Sequence, residues 1–459
     1  MKKTVLEKIL NKKKKWTDFK KLEIPLEDIK KKICIKTRNF IQALNIKRPT
    51  FILEFKKSSP SLGLINNNFN LKKISQVYKK YSSVISVVTE ENYFHGNIKN
   101  IPIIKKYVKQ PILCKDFIFD PYQIYLARYY QADAILLMLS VLNDEQYLYL
   151  SHISRKLNLG ILTEISNLKE LKRALKLKVK VIGINNRNLH DLSIDINKTK
   201  NLSPFIQNKS IIISESGIYT NQQVKELSPF VNGFLIGSSL MKSNNLEISI
   251  KKIIFGNNKI CGLTRVKDAK YSKKYGAIYG GLIFCKNSPR KINKKISTQI
   301  TQIKNLLFVG VFQNQKIEFI LKKIFLLNLK IIQLHGIENS KYIALLRKKI
   351  GQKIKIWKSI NVNQNKFFYK KNKKINKYLF DNKNPGSGKC FDWNILKKEN
   401  YKNIILSGGL NTKNCKKASK IGFFGLDFNS GLEKRIGIKD KKKIKKIFNI
   451  LRNFKKEDN

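Results

Sequence analysis

A chain of 459 residues, 42% of them hydrophobic, can bury a large core and is long enough for at least two domains, which excludes a disordered protein. The formal charge of +62 suggests nucleic acid, but lysine runs through the whole chain beside abundant Ile and Asn, as a drift toward AT-rich codons would produce; no specific nucleic-acid partner is expected. The basic start MKKTVLEKILNKKKKW has no apolar segment behind it and no run reaches the roughly 20 residues of a membrane span, so the protein is expected in the cytoplasm, its six cysteines reduced.

Taken in chain order, residues 1–48 read as a helical extension that caps the first set of strands. Strand-like runs then appear at TFILEFK, VISVVTE, PILCKDF, AILLML, GILTEIS, VIGINNR, IIISES and GFLIGSS, eight in all. Between them, NLKKISQVYKKYSS and SNLKELKRALKLK space apolar residues three and four apart, as an amphipathic helix does. Alternating β and α elements imply parallel strands, and eight of them fit a closed (β/α)8 barrel. After the helix-like LEISIKKII, Gly and Asn punctuate the chain at FGNNK, residues 255–259. The pattern then restarts with NKICG, GGLIF, LLFVGVF, IIQLHG, KIWKSI, KYLFD, IILSGG and GLDFN. The expected architecture is therefore α/β, two tandem TIM barrels over residues 1–255 and 256–459, because a single sixteen-stranded sheet is improbable.

Barrel enzymes carry their chemistry at the C-terminal strand ends, where polar residues collect in the first half: Glu54 with Lys56, Lys115, Glu164, Asn185 with Arg187, and Glu215 with Ser216. Glu54 and Lys56 share a strand face; taken alone, they read first as an ion pair at a strand end and only second as groups in a barrel mouth. Several such residues on successive strands argue for one pocket in which acids and lysines tune each other. Ser216-Gly217 and Gly237-Ser238 come after the seventh and eighth strands, where backbone N–H groups commonly hold a phosphate.

The ordered motifs LEFKKSSPSLG, VVTEENYFHG, ILCKDFIFDPYQI, LTEISNLKELKRAL, GINNRNL and SESGI resemble indole-3-glycerol phosphate synthase. KICGLT, GLIFCKNSPR, VGVFQN, QLHG, GSGKCFDW, LSGGL and GLDFNSGLEKRIGIKD resemble phosphoribosylanthranilate isomerase, and the fusion in this order resembles the bifunctional tryptophan-biosynthesis enzyme of enteric-type bacteria. The resemblance implies that Lys115 is the synthase's general acid, with a pKa lowered by burial or neighbouring positive charge, and that Glu164 is the second acid/base group. Glu54, Lys56 and Asn185 would tune and position, while Ser58, Arg187, Glu215 and Ser216 bind substrate. Lys56 and the backbone near Gly217, Gly237 and Ser238 would hold phosphate. In the isomerase it implies Cys261 as base, with a lowered pKa, and Asp381 as acid. Arg290 would contact the anthranilate end, His335 would line the pocket, and Gly408, Gly409, Asn429, Ser430 and Gly431 would cradle phosphate. Without the resemblance, Cys261 reads as a buried structural thiol and His335 as a satisfied core histidine. The implied partners are small phosphorylated anthranilate-derived substrates; neither cofactor nor metal is required, and a monomer is expected.

Pro385 stands where the family loop usually carries Gly and is expected to stiffen it. GSGKC is not a phosphate-binding P-loop, because Lys383 occupies the first Gly position and Cys390 the Ser/Thr position. No G-x-S-x-G motif supports a hydrolase, and the histidines at 95, 152, 190 and 335 are too scattered for zinc. The rival readings are a histidine-pathway pair of barrels, which would use two aspartates in place of Cys261 and Asp381, and a barrel that binds RNA through its lysines.

Overall fold

The computed structural model describes residues 4–46, 49–66, 69–189, 191–206, 210–362, 369, 371–382, 388, 390–396 and 401–453. Pro385, Lys383 and His190 lie outside the described residues.

Eight parallel strands, Thr50–Phe55, Val84–Val88, Ile112–Lys115, Ala134–Met138, Gly160–Ile165, Val181–Asn185, Ile211–Glu215 and Gly233–Ile236, form a barrel closed by pairing of the first with the last. A second set, Lys259–Ile260, Tyr279–Ile283, Leu307–Phe312, Ile331–Leu334, Lys355–Val362, Lys377–Asn382, Ile404–Leu406 and Gly425–Phe428, closes in the same way. All sixteen strands fall on the runs picked out from the pattern. Their legibility has a physical cause: strands covered by helices outside and filled inside are buried on both faces, so they read as continuous apolar runs such as FILEF and VISVV.

Two antiparallel ribbons, Ser58–Ser59 with Gly63–Leu64 and Glu433–Arg435 with Ile438–Lys439, were not expected. Segments of two or three residues carry no periodicity.

The N-terminal extension reaches both ends of the first barrel. Helix Val5–Glu23, opened by a Thr4/Glu7 capping box, sends the buried Lys13 to Asp116 at 2.7 Å, just past the C-terminal end of the third strand. Helix Phe40–Asn45 lies at the opposite end. Its Phe40 ring occupies the space a Cβ would need at Gly160, where the fifth strand begins, and Arg38 donates to the carbonyls of Val108 and Gln110 before the third.

The described chain divides into two compact units, one from residues 4–219 and 223–246, the other from 220–222 and 247–453. Helix Leu246–Phe255 comes after the eighth strand of the first barrel in sequence, yet packs within the second unit: Phe255 meets Phe448 edge to face at 5.7 Å, and Lys251 donates to the Asn305 carbonyl. Inside the second barrel, Tyr279 and Trp357 meet edge to face, with Val309, Ile331, Leu379 and Ile405 completing that layer.

Candidate active sites

At the C-terminal end of the first barrel, the strand termini bring Glu54, Lys56, Lys115, Arg187, Glu215, Ser216, Gly217, Gly237 and Ser238 around one cavity. Lys115 Nζ lies 3.1 Å from both Glu164 Oε2 and Glu215 Oε2, and Lys56 Nζ lies 2.7 Å from Glu54 Oε1. Asn185 donates to Glu164 Oε1 at 2.9 Å and accepts from the Arg187 backbone, fixing the carboxylate from behind. Burial alone would lower the Lys115 pKa, but Glu215, Glu164 and Glu54 outweigh it and hold the ammonium above its ordinary value. Burial pushes Glu215 up to about 7 against the pull of Lys115, with Glu164 and Glu54 adding to the rise. Three carboxylates face two ammoniums here, so one acid is poised to keep a proton near neutrality.

Ser216 and Gly217 are both left-handed, with φ of 64° and 78°, and turn the chain sharply after Glu215. Gly237 has a second reason to be glycine: a Cβ there would sit 2.2 Å from Glu54 Oε1. Gly183 likewise makes room for Glu215, whose Oε1 lies 2.0 Å from where its Cβ would be. Ser58 turns inward to the ribbon, donating to the Gly63 carbonyl, and does not line this cavity.

The second barrel holds a cavity of about 290 Å³ at the matching end, lined by Cys261, Arg290, His335, Asp381, Gly408, Gly409, Asn429 and Ser430 among others. Ser407 Oγ donates to Asp381 Oδ2 at 3.0 Å, and the Asn382 N–H to Oδ1. Burial pushes Asp381 up to about 6 despite Ser407, and Asp427 adds to the rise. Arg290 forms a two-pronged pair with Glu433, at 2.9 and 2.8 Å, and Lys439 joins that acid to Asn429. Gly408 and Gly409 have φ of 87° and 62°, and Gly431 packs where a Cβ would strike the Leu410 carbonyl at 2.2 Å.

The indole-3-glycerol phosphate synthase family model matches residues 6–253, and the N-(5'-phosphoribosyl)anthranilate isomerase model matches residues 258–450. The tryptophan biosynthesis protein TrpCF of Buchnera aphidicola subsp. Schizaphis graminum is 58% identical over 451 residues, covering 98% of this chain and 100% of the relative. TrpCF of Salmonella typhi is 47% identical over 451 residues, with 98% and 100% covered. The chain belongs to the TrpCF family. As a TrpCF-family member it is a bifunctional enzyme of tryptophan biosynthesis, with a synthase domain of the carboxy-lyase class and an isomerase domain. No helix among the described residues is long and apolar enough to cross a membrane.

Two expectations about proton affinity are corrected by this geometry. The pKa of Lys115 is raised, not lowered, because its neighbours are acids rather than cations. That of Cys261 is also raised: burial outweighs Lys259, which pulls the other way, and Asp427 adds to the rise. Arg290, expected at the substrate's anthranilate end, reaches the cavity wall already committed to Glu433. Four further residues of this TrpCF-family site went unnoticed in the sequence. Ser407 holds Asp381. Asp427 pairs with the fully buried Lys259 at 2.7 Å and leaves Oδ1 without a partner among the described residues. Cys285 lines the cavity with Cys261, and Gln333 meets His335. Asp427 and Gln333 had a legible signal, each a polar residue inside an apolar strand, GLDF and IIQL.

Proposed function

We propose that residues 256–459 isomerise N-(5-phosphoribosyl)anthranilate to 1-(2-carboxyphenylamino)-1-deoxyribulose 5-phosphate through Asp381 and Cys261, and that residues 1–255 close this product to indole-3-glycerol phosphate through Lys115 and Glu164. The observation that carries the reading is two separate acid–base sets, each at the C-terminal end of its own barrel.

In the isomerase, Asp381 gives its proton to the ring oxygen, the sugar opens to an imine, and Cys261 takes the C2 proton, leaving an enolamine that becomes the ketone. In the synthase, the ring carbon that bears the carboxylate attacks the ketone while Lys115 protonates its oxygen. Carbon dioxide then leaves; the hydroxyl departs as water with a proton from Glu164, and the methylene carbon beside nitrogen gives up a proton in turn, which completes the indole. The raised pKa keeps Lys115 charged until negative charge develops on the substrate oxygen. Every step moves protons and carbon bonds without net oxidation, so neither metal nor cofactor is called for. Lys56 and the backbone N–H groups at Gly217, Gly237 and Ser238 hold the phosphate in the first barrel. Those at Gly408, Gly409 and Asn429–Gly431 hold it in the second. The enzyme acts as a monomer, since each barrel supplies its own pair, and works in the cytoplasm beside the phosphorylated intermediates it consumes.

The test is purified full-length protein given N-(5-phosphoribosyl)anthranilate: indole-3-glycerol phosphate should form after a lag in which the carboxyphenylamino intermediate rises and falls. Failure to form either compound would overturn both assignments.

A pH profile probes the isomerase pair. Its working form, protonated Asp381 with ionised Cys261, holds one proton. Below the Asp381 pKa both groups are protonated, so kcat/KM should fall on an acidic limb near pH 6. Ser407 lowers that pKa by donating to the carboxylate. Ser407→Ala should therefore move the limb to higher pH, by about one unit. A limb that stays put would detach it from Asp381.

A further inference from the structure

We propose that Gln333 selects the Nε2–H tautomer of His335, making a neutral imidazole the second donor, beside Asp381, to the oxygen freed when the sugar ring opens in the second barrel. This rests on the isomerase reading above.

Gln333 belongs to strand Ile331–Leu334, and His335 stands two residues on, so both side chains face the same way and line the cavity. Gln333 is 1% exposed, and its Nε2 lies 3.0 Å from His335 Nδ1. An amide nitrogen only donates, so with the Gln333 amide in this orientation Nδ1 offers its lone pair and the ring proton sits on Nε2. That nitrogen is buried and has no hydrogen-bond partner among the described residues.

It lies 3.9 Å from Asp381 Oδ2. The gap is too long for a direct hydrogen bond, yet a substrate oxygen can sit about 2.8 Å from both atoms. Burial, with Lys259 and Lys358 nearby, holds the imidazole down to about 4, so it enters the reaction uncharged. As the C1–O bond breaks, its electron pair goes to the ring oxygen and the anthranilate nitrogen closes the imine. Asp381 supplies the proton. His335 keeps its own and steadies the charge that builds on that oxygen.

The experiment uses the full chain with 15N-labelled histidine, its four ring systems read by long-range proton–nitrogen NMR at neutral pH and His335 assigned by loss of its signal in His335→Asn. The expected spectrum shows Nε2 protonated and Nδ1 bare. Gln333→Glu presents an acceptor instead, drawing the proton to Nδ1. Isomerase kcat should then fall by about 10² to 10³ with KM little changed. The synthase rate of the same sample reports whether the chain is folded, and Gln333→Met, apolar and similar in length, tests the site without burying a new charge. An Nδ1–H tautomer in the wild type overturns the proposal, as does a tautomer-shifted variant whose isomerase stays within about threefold of wild type. A wild type with the Nε2–H spectrum but no isomerase turnover would instead overturn the reading of the barrel.

Discussion

Lys115→Met is expected to abolish ring closure while isomerisation continues, so that 1-(2-carboxyphenylamino)-1-deoxyribulose 5-phosphate accumulates. Methionine matches the stem of lysine in length but carries no proton, and loss of a general acid typically costs about 10² to 10⁴ in rate. The cost here should lie at or above the upper end, because Lys115 also sits between Glu164 and Glu215 and holds both carboxylates in place. Without it, Glu54 keeps its pair with Lys56, but Glu164 and Glu215 lose the ammonium between them. Glu215, already up at about 7, should then hold its proton further into the alkaline range. The pocket relaxes by protonation rather than by unfolding, so the variant should stay folded and its second barrel active. Indole-3-glycerol phosphate formed at near the wild-type rate would remove Lys115 from its role.

The architecture was legible because parallel barrel strands are apolar on both faces and end in polar residues at the site. Runs such as ILCK and VIGIN already contain both parts of that message. Proton affinity was not legible. Whether Lys115 titrates high or low depends on distances of about 3 Å to acids 49 and 100 residues away, which no local pattern encodes. The same holds for Gly183 and Gly237, whose missing side chains make room for Glu215 and Glu54 rather than forming a turn of their own. Gln333 reads in QLHG as a polar residue on a buried strand, and its partner emerges only when the fold fixes the ring of His335.

Cys261→Ala should stop the isomerase and leave the synthase untouched when that barrel is supplied with its own substrate. The second thiol in the cavity makes this a sharper test than strand position alone. Cys285 is pushed up to about 12 by burial, with Cys261 adding to the rise, and its sulfur lies 3.8 Å from the Val311 carbonyl. For Cys261, Lys259 works against the burial, and a Cβ at Gly281 would sit 2.6 Å from its sulfur and 3.0 Å from the Lys259 Cε. The sulfur and the ammonium stem thus crowd one point, so a thiolate at 261 has a cation beside it. Cys285 should therefore be unable to take over: Cys285→Ala should keep isomerase turnover within about tenfold of wild type, while Cys261→Ala loses about 10² to 10⁴. Cys261→Ser should be severely impaired as well, since a hydroxyl beside the same lysine remains a far weaker base. Kinetics with each substrate in turn decide it. An isomerase surviving Cys261→Ala within about tenfold cannot use that residue as its base, and collapse in Cys285→Ala alone would move the role to the second thiol.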